Sequence, residues 1–63
     1  MFNVYHDGMC VGSYETCDEA IEYAKIAVSP RNHDVAIVTE NNDKVICTIA
    51  NMNGKFSVVN AIY

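Results

Sequence analysis

Two dipeptides near the ends of the chain, Asp7-Gly8 and Asn53-Gly54, narrow its folding options more than any other feature. A two-residue type I′ hairpin turn needs positive φ at both central positions, which Asp, Asn and Gly tolerate best. Asp7-Gly8 separates FNVYH from MCVGSY, and Asn53-Gly54 stands between KVICTIA and KFSVVNAIY. A third break, Asn41 to Asp43, divides VAIVTE from KVICTIA. One helix is predicted in the middle. It starts at Thr16, with Glu19 three residues on, a capping box in which each side chain satisfies an orphan backbone donor. Asp18 and Glu19 suit the positive end of its dipole, and Pro30 is expected to force Ser29 out of helical geometry and end it. The order is therefore β-β-α-β-β-β. That makes an α+β protein, with one helix packed on one face of an antiparallel sheet.

With 63 residues there is room for a single small domain, residues 1–63, and a chain this short buries only about 60% of its unfolded surface. A hydrophobic fraction of 51% against 19% charged residues excludes a disordered chain. The net charge of −4 and the scattered bases Lys25, Arg31, Lys44 and Lys55 exclude a binder of nucleic-acid backbones. The eight acids do not recur at a phosphate-like period either, which counts against a mimic of DNA. No basic-then-apolar leader and no long apolar run occurs, so a cytoplasmic, complete small gene product with no membrane contact is expected. Cys10, Cys17 and Cys47 are odd in number, so they cannot close a disulfide framework, and a reducing cytoplasm would keep them as thiols.

Regular alternation assigns the side chains to faces. Phe2, Val4, Met9 and Val11 point one way, and Tyr5, Cys10 and Tyr14 the other. In the second half, Val38, Val45, Cys47, Ile49, Val58 and Ile62 share a face. Val35, Ile37, Ile46, Val59, Ala61 and Tyr63 lie opposite, with Thr39 and Thr48 among them. The helix offers one apolar stripe, Cys17, Ala20, Ile21, Ala24 and Val28. It covers one face of the sheet only. The other face should be polar, yet Tyr5, Tyr14, Ile37, Ile46, Val59 and Tyr63 leave it apolar, and large apolar patches mark interaction sites. An acid at Ile46 is expected to fold and to lose a bound partner. A second candidate surface lies on the helix, where Ile26 sits between Glu19 and Glu22 with Tyr23 beside it.

The chemistry-bearing residues read as architecture. Cys17 belongs to the core stripe, where a thiol is inert, so it is not paired with His6 or His33 as nucleophile and base. Those two histidines have no recognisable orienting partner. The spacing lacks the paired cysteines and histidines of a zinc site, the alternating oxygens of a calcium loop and a phosphate-cradling glycine loop. Neither catalytic residues nor a metal or cofactor site is expected.

The segment SYETCDEAIEYAK, running from a strand into a capped helix, resembles the strand–ETxDEAxExA–helix unit of very small phage proteins that inhibit bacterial RNA polymerase. The match spans Glu15 to Ala24. The chain differs in its opening hairpin and its closing three-stranded meander, and no functional residue carries over. What the resemblance implies is a non-enzymatic protein that binds and blocks a host enzyme or defence complex from within the host cytoplasm. The alternative expectation is a homo-oligomeric structural protein whose sheets pack back to back.

Overall fold

The computed structural model describes residues 1–41 and 44–60. Its elements follow the expected order: β1 (Phe2–His6), β2 (Met9–Tyr14), α1 (Cys17–Val28), β3 (Val35–Glu40), β4 (Lys44–Met52) and β5 (Lys55–Asn60). The five strands make one sheet in the order β2-β1-β3-β4-β5, and every neighbouring pair is antiparallel. β2 and β3 are each antiparallel to β1, so they run parallel to one another on either side of it. The helix is thus the crossover of a β-α-β unit split by β1, and this lays it over the middle of the sheet.

Local chemistry sets the ends of these elements. Asp7 and Gly8 adopt φ of 54° and 78°, the mirror-image turn anticipated for the first hairpin, and Asn53 opens the last hairpin with φ of 56°. Thr16 is the helix N-cap, and its hydroxyl accepts the Glu19 N–H at 3.2 Å. The return half of the box differs from expectation. The Glu19 carboxylate accepts the Thr16 hydroxyl at 3.1 Å, a side-chain partner in place of a backbone N–H. Ser29 also departs from expectation, because it keeps helical geometry (φ −63°, ψ −36°) in front of Pro30. The helix ends for lack of a donor. Proline has no N–H to give the Ile26 carbonyl, which instead accepts the Ser29 N–H at 3.3 Å and the Ser29 hydroxyl at 3.0 Å.

The core lies between α1 and the sheet. Val4, Ala20, Ala24, Val28, Ala36, Val38, Cys47 and Ile49 are buried there, with Phe2, Tyr14, Ile21 and Ile46 packed around them. The helical stripe is the one the spacing predicts. The three alanines let the helix approach the sheet closely, at the expense of a thin core.

Two irregularities redistribute the faces. Between Val4 and Tyr5 the β1–β2 register shifts, so Phe2 pairs with Tyr14 and Tyr5 with Cys10, leaving Val11 as the extra residue. Between Val38 and Thr39 the β3–β4 register shifts likewise, so Val38 pairs with Cys47 and Thr39 with Val45, leaving Ile46 extra. A bulge inserts one residue, which reverses the alternation beyond it. Tyr14 and Ile46, assigned by regular alternation to the open face, therefore belong to the helix side, and Val45 passes the other way.

Candidate protein-docking surfaces

The open face of the sheet is organised by one row of paired residues. Cys10, Tyr5, Ile37, Thr48 and Val59 follow one another across all five strands, each paired with the next. Ile37 is 38% exposed and Val59 59% exposed. Val35, Ala50 and Ser57 form a parallel row on one side, and Asn3, Thr39 and Val45 a row on the other. Tyr5, Gly8, Ile37, Thr39 and Val45 line a shallow groove in this face. The Thr39 hydroxyl oxygen is buried there and has no hydrogen-bond partner among the described residues, a condition that costs about 1–3 kcal/mol.

Of the residues the sequence places on this surface, Tyr5, Ile37 and Val59 are on it. Tyr63 lies outside the described residues. Tyr14 and Ile46 are on the helix side, for the reason given above. Tyr14 is held there by two neighbours. Its ring lies over Gly12, where a Cβ would collide with it, and it stacks on Tyr23 with centroids 4.7 Å apart and planes 4° from parallel. The phenolic stack joins the end of β2 to the outer surface of the helix.

That outer surface is the second candidate. Ile26 is 62% exposed and Tyr23 50% exposed, and Glu19 and Glu22 are exposed beside them. The two surfaces differ in charge. Asp18, Glu19 and Glu22 belong to the helix, Glu15 precedes it, Glu40 faces the helix side near Cys17, and Asp7 and Asp34 lie in a turn and a loop. Among the described residues no acid faces the open side of the sheet. The one charge there is Lys55, at a corner, paired with Met52.

The remaining titratable groups are accounted for by packing. Cys10, Cys17 and Cys47 are free thiols. Burial pushes the Cys17 thiol up, with Asp18 and Glu40 adding to it, and burial likewise raises Cys47. Neither is activated as a nucleophile. His6 does have an orienting partner, contrary to the sequence reading: its Nε2 donates to the Asp34 carboxylate at 2.6 Å. Its Nδ1 stands 3.9 Å from Asp7. His6, Asp7 and Asp34 are the one group of three metal-type ligands that converges among the described residues. The short His6–Asp34 bond leaves no space for an ion between those two atoms. The cluster ties the end of β1 to the loop before β3.

This pair fixes a pH dependence. The hydrogen bond from His6 holds the Asp34 carboxyl below the usual carboxylate range. A depressed carboxyl stabilises the folded state above its unfolded pKa of about 3.9, and that contribution disappears as pH falls through the folded value. The stability gap between the wild type and Asp34→Asn is accordingly expected to be full near neutrality and to narrow below about pH 4. Denaturant titrations at several pH values check this; a gap independent of pH would show that ionisation of Asp34 contributes nothing.

No described helix is long and apolar enough to cross a membrane. No family model matches the chain, and neither a curated protein nor a solved structure is significantly similar to it.

Proposed function

We propose that this chain is a non-catalytic protein-binding module that works through the open face of its sheet. One observation carries the reading: a five-strand row centred on Ile37 is left uncovered on a face with no acid among the described residues, in a chain of net charge −4. Leaving that much apolar surface in water costs about 25 cal/mol for each Å², and a bound protein removes the cost. The Tyr23–Ile26 surface of the helix, rimmed by Glu19 and Glu22, points away from the sheet and serves as a second contact.

The resemblance over Glu15 to Ala24 supports a phage-type inhibitor or modulator of a host enzyme or defence complex, acting in the host cytoplasm. That segment forms the cap and the first two turns of the helix and carries Glu19 and Glu22 of the acidic surface. Immobilised protein is expected to retain a protein partner, foreign or an untagged copy of itself. The Ile37→Asp and Val59→Lys variants should lose at least tenfold of that retention while keeping their circular dichroism. Unchanged retention by both folded variants would overturn the reading.

A further inference from the structure

We infer that the occupant of the open sheet face is a second copy of this chain, packed face to face about a two-fold axis near Ile37; this rests on the open face being the docking surface. Charge placement selects the partner. A foreign protein chosen by electrostatics needs charges to choose by, and the described open face carries only Lys55 at its corner. The described acids, which would repel a second copy, are gathered on the helix side and in the loops. In a sandwich of the two sheets, with each layer about 10 Å thick, the two helices stand roughly 30 Å apart. That is nearly four Debye lengths of about 8 Å at physiological salt, so their carboxylates scarcely sense each other. Pairing through the helix surface would instead bring Asp18, Glu19 and Glu22 of both copies together.

Area and symmetry agree with this occupant. Five strands about 4.8 Å apart and some 17–20 Å long give a flat footprint of roughly 350 Å². Side-chain relief about doubles the accessible area, so full contact buries on the order of 1,400 Å² over both copies, within the range of specific dimers. β3 is the central strand of the sheet and Ile37 is the open-face residue at the middle of the cross-strand row. A two-fold axis there brings Ile37 against its own copy, with Tyr5 and Val59 flanking it on either side. The partner's side chains also close the groove floored by Thr39 and Val45. The second layer gives a thin eight-residue core the burial that a chain of this length lacks. It leaves the two Tyr23–Ile26 surfaces facing outward in opposite directions, so the assembly presents its acidic helix twice.

Sedimentation equilibrium of the full chain from 1 to 200 μM tests the inference. The wild type is expected to be a dimer over most of this range. Ile37→Asp and Val59→Lys should each weaken self-association at least tenfold, and Ile26→Asp should leave it unchanged. Val59 lies on an exposed edge strand, so its variant folds even if Ile37→Asp does not. A wild type monomeric at 200 μM overturns the second copy, as does a dimer indifferent to both sheet-face substitutions but broken by Ile26→Asp. A monomer that binds a foreign protein through Ile37 and Val59 refutes the inference and leaves the docking surface standing. A monomer in which those substitutions alter no binding refutes both.

Discussion

Asn51→Ala is expected to remove a large share of the protein's folding free energy at 25 °C, although it deletes only one amide from the buried face of a strand. The side chain is 4% exposed on the helix side of β4. Its Nδ2 donates to the carbonyls of Val28 and Arg31, each at 2.9 Å, and of Ser29 at 3.2 Å. Its Oδ1 accepts the Gly54 N–H at 2.9 Å. The backbone of the same residue accepts the His33 N–H at 2.8 Å and donates to the Asp34 carbonyl at 2.9 Å. One residue thus caps the helix C-terminus, anchors the loop from Ser29 to Asp34 and braces the last hairpin turn. Truncation strands several carbonyls and an amide in part-buried positions, at about 3–5 kcal/mol in total. A chain of 63 residues has roughly 3–9 kcal/mol to lose. Urea titration is the measurement, with Asn60→Ala, exposed on β5, as the control expected to fall within about 0.5 kcal/mol of wild type. If Asn51→Ala melts like that control, the carbonyls of residues 28–31 find water without cost and the knot is ornamental.

Asn51 also marks where sequence reasoning stopped short of what was readable. It follows Cys47 and Ile49 at strand period, which puts it on the buried face, and a buried amide must find partners. That signal was present; the identity of the partners was not, because they come from a loop some 20 residues away in sequence. The two glycine-containing hairpin turns, the Thr16 N-cap and the apolar stripe of the helix were legible, since each depends on residues within four positions of one another. The pairing of β1 with β3 was not, since it brings Tyr5 to Ile37 through the helix crossover.

The bulges were the costly omission. Gly12 inside a strand is a standing hint of a bulge or of close packing, and here it is both: the register shifts beside it and the Tyr14 ring lies over it. The unbroken apolar run Val45-Ile46-Cys47 gives no such hint, because alternation cannot tell which of three adjacent apolar residues is the extra one. Each slip misplaced one residue of the candidate surface, Tyr14 in β2 and Ile46 in β4. The residues nearest the middle of the sheet, Tyr5 and Ile37, kept their face because no bulge separates them in the β1–β3 pair.

Acid substitutions at Ile46 and Ile37 separate the two descriptions of the sheet, and they are expected to behave in opposite ways. Regular alternation places both on the open face and predicts that both variants fold. The β4 bulge turns Ile46 to the helix side, against the buried cluster. Ile46→Asp then loses the apolar contact and desolvates a carboxylate beside the core, at about 3 kcal/mol or more. Ile37 stays 38% exposed on the open face, where an aspartate keeps its water and costs about 1 kcal/mol. The comparison belongs in dilute solution, where self-association adds little to apparent stability. Under those conditions Ile46→Asp is expected to be largely unfolded and Ile37→Asp to melt cooperatively near wild type. A pH titration adds a second discriminant: neutralising a part-buried carboxyl removes its desolvation penalty, so Ile46→Asp should recover structure as pH falls from about 7 towards 4.5, while Ile37→Asp should not. Equal stability of the two variants at neutral pH would mean that β4 pairs with β3 without its extra residue, and would return Ile46 to the open face.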